Sequence, residues 1–450
     1  AGLTGGRIEI TGEHVGLVGD ARLDASGPVG GGTILIGGDF QGKNPDVRNA
    51  TATWIGEDAK IRADATVEGD GGRVIIWADG ANRTFGSLSA RGAGATGVGG
   101  FAEVSGKNYL NYQGFTDLSA SSGLAGMLLL DPTNIFIAVD QAAATAAGML
   151  LTDTSAGSTP PNFAASGAVA DSLLLTGTLV TALNGGSDVT VTTANALGLG
   201  AGSMIFVSPV SWSSTRSLTA AATTTINVTA AITNTGTGGL TLNAGTSVTL
   251  TDAVTLSGGV FQSTGTTFNN SGSGTITTNG GSVVLIHPAG VTIAAAIAAG
   301  TGGGISVTGD SIALTAALSG TGALVLQPGA DATTIGLGTT AAGTFNLTNT
   351  ELTQLTNGFS SITIGRATGT GAIQIDAGAA FNDPVTIQSP GTAGSISLTA
   401  AGVLSVTGTD TLTLIAGTGN SGTFTQTSGA TITAGSGAIT ITADAVALAG

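Results

Sequence analysis

Apolar and polar residues alternate along most of this chain, and a glycine marks the start of many of the alternating runs. Gly72-Arg73-Val74-Ile75-Ile76, Gly100-Phe101-Ala102-Glu103-Val104 and Gly126-Met127-Leu128-Leu129-Leu130 share one phrase, a glycine followed by apolar residues at the second and fourth positions after it. Residues two apart share a face of a β-strand, and glycine takes a tight corner without a Cβ to obstruct it. The phrase predicts a corner and then a strand. It recurs upstream from Gly6 and Gly32, and downstream from Gly238, Gly281, Gly303, Gly322, Gly371, Gly394 and Gly437. The downstream spacings fit one or two turns of a coil of roughly 20 to 25 residues, within the period that marks a solenoid.

The pattern predicts an all-β chain wound as a parallel β-helix. Ile8, Ile10, Ile34, Ile36, Val74, Ile76, Leu128 and Leu130 are expected to form inward columns, with Arg7, Arg73 and Glu103 outside. A second phrase, Leu23-Asp24-Ala25, Ile61-Arg62-Ala63, Leu88-Ser89-Ala90 and Leu118-Ser119-Ala120, gives each early coil at least one more strand and corner. Residues 1–137 are expected to form a charged β-helix with longer coils, from which Phe40 to Thr53 extends as a loop. Residues 138–188 read as an irregular insertion, with short helices at Gln141 to Leu151 and Leu173 to Leu183 and a loop at Thr154 to Gly167; a domain break would fall here. Residues 189–450 return to regular Thr-, Ser- and Gly-rich repeats, with a helical turn at Glu351 to Leu355.

Composition sharpens this reading. The 450 residues include 76 glycines, 10 prolines and 41% apolar residues, with only 9% charged. Disordered chains are poor in apolar residues and rich in charge, and collagen would place glycine at every third residue. The net charge is −15, with only Arg216 and Arg366 as cations after Lys107. Phosphate neutralisation needs a basic surface, so nucleic acid is not an expected partner. Cysteine is absent, which removes disulfides and thiolate chemistry. No apolar run is long enough to span a bilayer as a helix, and neither a signal peptide nor a capping segment is apparent. About 20 coils at ~4.8 Å would make an elongated rod near ~100 Å, expected to continue within a longer chain or to stack end to end.

The runs Gly71 to Gly80, Gly99 to Lys107 and Leu128-Leu129-Leu130-Asp131-Pro132-Thr133-Asn134-Ile135 resemble the large exoproteins of two-partner secretion, the filamentous-haemagglutinin-like family. Val207 to Trp212, Gly238 to Gly245 and Gly358 to Arg366 extend the resemblance downstream. It implies a right-handed parallel β-helix exported through an outer-membrane barrel transporter of a Gram-negative bacterium. It further implies a secreted or cell-surface adhesin, extracellular fibre or biofilm component. Host or neighbouring-cell glycans or proteins, and other copies of the chain in filaments, are the partners expected.

Some parallel β-helices are polysaccharide lyases or hydrolases, so a carbohydrate-active enzyme is the alternative reading. Such enzymes need converging carboxylates. The densest acidic group, Asp64, Glu68, Asp70 and Asp79 with Arg62, Arg73 and Arg83 interspersed, reads as a solvated, partly ion-paired edge. His14 and His287 have no second metal ligand beside them, and neither a Gly-x-Ser-x-Gly elbow nor a calcium nonapeptide accompanies them. No catalytic, cofactor-binding or metal residue is therefore assigned, and the chain is read as non-enzymatic. Trp54, Trp77 and Trp212 offer rings for sugar stacking, although packing beneath the Phe40 to Thr53 loop is the preferred role for Trp77. Asn49, Asn82, Asn227, Asn269 and Asn346 begin Asn-x-Ser/Thr sequons. Thr223 to Thr225 and Thr411 to Thr413 are too irregularly placed for an ice-binding face.

Overall fold

The computed structural model describes residues 4–121, 123–150, 161, 163, 171–193, 200–419 and 421–449. The chain is an all-β parallel β-solenoid, and it divides into two compact units, Ala1–Gly245 and Thr246–Gly450. Most of the predicted loop from Thr154 to Gly167 lies outside the described residues.

In the first unit, one sheet collects Arg7–Ile10, Thr33–Ile36, Arg73–Ala78, Phe101–Gly106, Met127–Asp131, Asp188–Thr192, Leu218–Ala222 and Leu240–Ala244. Every pairing between them is parallel and in register. The alternation therefore builds continuous columns. Ile34, Val74, Ala102, Leu128, Val189, Leu218 and Leu240 stack in one, and Ile36, Ile76, Val104, Leu130, Val191, Ala220 and Leu242 in the next, all buried. Burial of one such aliphatic side chain contributes about 1.5–3 kcal/mol, which a single coil could not collect without neighbours. Ile8 and Ile10, in the first described strand, are half-buried.

The glycines of this corner serve close approach. A Cβ on Gly32 would lie 2.0 Å from the carbonyl oxygen of Gly6, and those on Gly72, Gly100 and Gly126 would meet the preceding glycine's oxygen at 2.1, 2.2 and 1.9 Å. None of the four has a positive φ. Stacking distance, more than corner geometry, excludes a side chain here.

A second sheet of this unit runs His14–Leu17, Ala52–Ile55, Ala81–Thr84, Tyr109–Tyr112, Ser172–Leu175, Ile135–Ala138, Met204–Phe206 and Thr225–Val228. Ser172–Leu175 sits out of sequence order, between Tyr109–Tyr112 and Ile135–Ala138. Residues 138–188 thus supply a strand to the stack besides the helices Gln141–Ala146 and Thr176–Asn184. Asp140 caps the first helix through Ala143 N. A third sheet joins Arg22–Asp24, Lys60–Arg62, Ser87–Ser89 and Phe115–Asp117. Its fourth strand corrects the predicted alignment of Leu118. Thr116 follows Leu23, Ile61 and Leu88 in the inward column, with its hydroxyl 2.6 Å from Tyr112 Oη.

The second unit repeats the scheme, with Phe261–Thr264, Val283–Ile286, Ile305–Thr308, Ala323–Gln327, Ser361–Ile364, Val385–Ser389, Leu412–Ala416 and Ile439–Thr442 in one sheet. The strands after Gly371 and Gly394 belong to a different face, beside Ile335–Leu337 and Thr423–Gln426. The helix Asn349–Leu352 begins at a capping box, in which Thr348 and Glu351 satisfy each other's backbone N–H groups.

Candidate interaction surface

The acidic group singled out in the sequence does not converge. Asp64 is buried and accepts from Arg91 N at 2.8 Å, Arg91 Nη2 at 2.9 Å and Ser89 Oγ at 3.0 Å. Asp70 accepts from Val98 N at 2.9 Å. Asp79 holds Trp77 Nε1 at 3.0 Å and Asn49 Nδ2 at 3.2 Å, while Glu68 faces solvent. Asp64, Asp70 and Asp79 each tie one segment to its neighbour, a structural use of the charge. Arg83 is buried with its guanidinium 5.5 Å from the Tyr109 ring centroid, and Arg73 lies over the rings of Phe40 and Phe101. Among the described residues no three His, Cys, Asp or Glu side chains gather as a metal-binding set.

The histidines are also accounted for by packing. His14 stacks on Phe163 with centroids 5.1 Å apart. His287 is buried against Phe268 and shares a 3.0 Å hydrogen bond with Ser263; burial pushes its imidazole down to about 4. Trp54 packs on Phe85, and Trp212 donates from Nε1 to Arg216 O at 2.8 Å. All three tryptophans are buried, so none offers its ring to a sugar. Among the sequons, Asn82 is fully buried and hydrogen-bonded to Ile76 O and Ser105 O, out of reach of a modifying enzyme in the folded chain.

Two outward features remain. The first corrects the prediction for Glu103. Its strand has the expected register, yet the carboxylate is buried, because residues 37–50 fold back over the outer face instead of extending from it. Leu35, Ile75, Trp77 and Val47 form a second, external core there, with Phe101 at its margin.

The second feature is the outer face of the third sheet. Parallel register sets Arg22, Lys60, Ser87 and Phe115 in one outward column and Asp24, Arg62, Ser89 and Asp117 in the next. A shallow depression of about 230 Å³ lies over the later three strands, lined by Lys60, Arg62, Ser87, Ser89, Phe115 and Asp117 together with Arg91. Phe115 is 45% exposed, Lys60 and Arg62 are exposed, and Arg91 is held in place by Asp64. The Asp24 carboxyl sits below its usual range, chiefly through hydrogen bonds from Ser26, with Arg62 adding to the effect. Cations, hydroxyls, an aromatic edge and the carboxylates of Asp24 and Asp117 thus share one surface of a chain whose net charge is −15. The second repeated phrase carries this signal in its outward residues, and misplacing its fourth copy at Leu118 hid Phe115.

No helix among the described residues is long and apolar enough to cross a membrane. No family model matches the chain, and no curated protein matches it.

Proposed function

We propose that the chain is a secreted or outer-surface β-solenoid of a Gram-negative bacterium that acts as a structural and adhesive scaffold. Adhesion, an extracellular fibre or a biofilm matrix is the setting, as in the two-partner secretion exoproteins it resembles. In that setting an outer-membrane barrel transporter is its partner during export, and filament formation would proceed by association of copies.

The observation that carries the adhesive reading is the third-sheet surface. Guanidinium and ammonium groups pair well with carboxylate or sulfate, and Phe115 offers an apolar ring to the C–H face of a sugar. An acidic glycan on a host or neighbouring cell is the ligand this surface suits. The alternative, a lyase or hydrolase, would need Asp64 and Asp79 free to act, and both are engaged by structural donors.

The test is binding of the whole chain to immobilised glycans with and without carboxylate or sulfate groups. Retention of the acidic glycans alone, weakened by salt and lost on combining Lys60→Ala, Arg62→Ala and Phe115→Ala, is the expected result. Equal binding by the triple variant would overturn the assignment of the surface. Release of sugar ends from the same glycans, abolished by Asp64→Asn, would overturn the non-enzymatic reading.

A further inference from the structure

Residues 37–50 make a loop whose ends meet, Ala50 N donating to Gly37 O at 2.7 Å. Such closed loops of 6–16 residues pack as units. The loop lies on the outer face of the first sheet, where Leu35, Ile75 and Glu103 occupy one column and Trp77 the next. Its path is tight: a Cβ on Gly42 would come within 2.5 Å of the Trp77 ring, and Gln41 has a φ of 54°.

Different contacts fasten it. Asn49 donates to Gly42 O and to Asp79, Arg73 approaches Asp39 at 3.7 Å beneath the Phe40 ring, and Gln41 N donates to both oxygens of Glu103 at 3.3 and 3.2 Å. The Glu103 contact is the one that titrates near neutrality. Burial pushes its carboxyl up to about 7, helped by Asp131 from the adjoining strand and opposed first by the Ser105 hydroxyl, then by the Gln41 N–H and by Arg73 from the other side. The loop brings Asp39, Lys43, Asp46 and Arg48, but Asp39 accepts from Asn44 and faces Arg73, the Lys43 ammonium donates to Gln41 Oε1, Arg48 pairs with Glu13 and Asp46 is exposed. The Ser105 hydroxyl, the Gln41 N–H and Arg73 do not offset the water that an ionised Glu103 loses under the closed loop.

We propose that residues 37–50 are a pH-dependent strap, closed over Leu35, Ile75, Trp77 and Phe101 while Glu103 is protonated and lifting to present that apolar strip once Glu103 ionises. In the lifted state the carboxylate regains solvent and its ordinary acidity. Closure is favoured most below that ordinary value and loses ground as pH rises through the value in the closed state.

Hydrogen exchange on the whole chain, corrected for the intrinsic pH dependence of exchange, tests this. Protection of the amides in residues 38–50 should fall roughly 70-fold from pH 5 to pH 8 and level off above about 7, while Val74 and Ile76 amides hold. Glu103→Gln should abolish the fall. An unchanged strap in the wild type, an equal fall in Glu103→Gln, or a parallel fall at Val74 and Ile76 would each overturn the proposal. Tryptophan emission of the wild type, to which Trp54, Trp77 and Trp212 contribute and in which Trp77 packs against Val47 of the loop, should shift to the red over the same pH range, a reading independent of how the variant folds; a constant spectrum counts against the strap.

Discussion

Glu103 accepts a bifurcated hydrogen bond from the backbone N–H of Gln41, 62 positions earlier in the chain. That contact turns an outward residue of a solenoid strand into a buried one. It also makes stability depend on pH. The folded-state value near 7 lies above the ordinary 4.5, so the stabilisation is complete below about 4.5 and lost as pH rises through 7. The wild type should lose about 2–3 kcal/mol between pH 4.5 and 8 on this account, and Glu103→Gln should remove that part of the slope. Urea unfolding followed at the tryptophans, all within the first unit, measures it; parallel curves for the two proteins would refute the assignment.

His287 gives the opposite slope in the second unit. Its folded-state value near 4 lies below the ordinary 6.5, so unfolding takes up a proton as the medium acidifies. Stability should be intact above about 6.5 and decline by about 1.4 kcal/mol per pH unit down to about 4. Hydrogen exchange of amides in residues 261–308 reads this unit directly. Replacing His287→Phe should flatten the acid limb, and an unaltered limb would show that other groups cause it.

Inward and outward positions predict contrasting charge tolerance. Val74 lies in a buried column, whereas Thr219 faces outward between Thr190 and Thr241. Val74→Asp should cost several kcal/mol as an unpaired buried charge, and Thr219→Asp less than about 1 kcal/mol. Equal losses in thermal unfolding would mean that the columns do not carry the fold.

The parts of the fold legible in the sequence were those set by local periodicity. Arg73-Val74-Ile75-Ile76 announces a strand because side chains alternate at period two, and register follows once one face is apolar. The phrase does not say which sheet receives the strand: those after Gly371 and Gly394 have the same alternation and lie on another face. Nor does it reveal a covering segment. Glu103 looks like a solvent residue until Gln41 arrives from 62 positions away, and Ser172–Leu175 enters the stack out of order through a contact that no local pattern encodes. At the candidate surface, Arg62 read as part of a solvated, partly ion-paired edge, and Lys60 before its phrase was not singled out. Nor was Phe115, because Thr116 replaces the leucine or isoleucine that marks the other three copies.

The glycine ladder allows a prediction with its control in the same unit. At Gly72 a methyl group would sit 2.1 Å from Gly32 O and 2.8 Å from Gly31 C, both backbone atoms of the adjacent coil. Neither can rotate away, so two coils must part, and the ladder hydrogen bond from Arg73 N to Gly32 O, 2.8 Å long, is strained with them. At Gly177, an exposed residue of the helix Thr176–Asn184, nothing lies within 4 Å of the same methyl group, and φ is not in the left-handed region. The chemical change is identical, and chain entropy in the unfolded state falls by a similar amount in both. Gly177→Ala should therefore be neutral or stabilising by up to about 1 kcal/mol, and Gly72→Ala destabilising by about 2–4 kcal/mol. If urea unfolding finds the two variants alike, glycine is kept at Gly72 for a reason other than the approach of neighbouring coils.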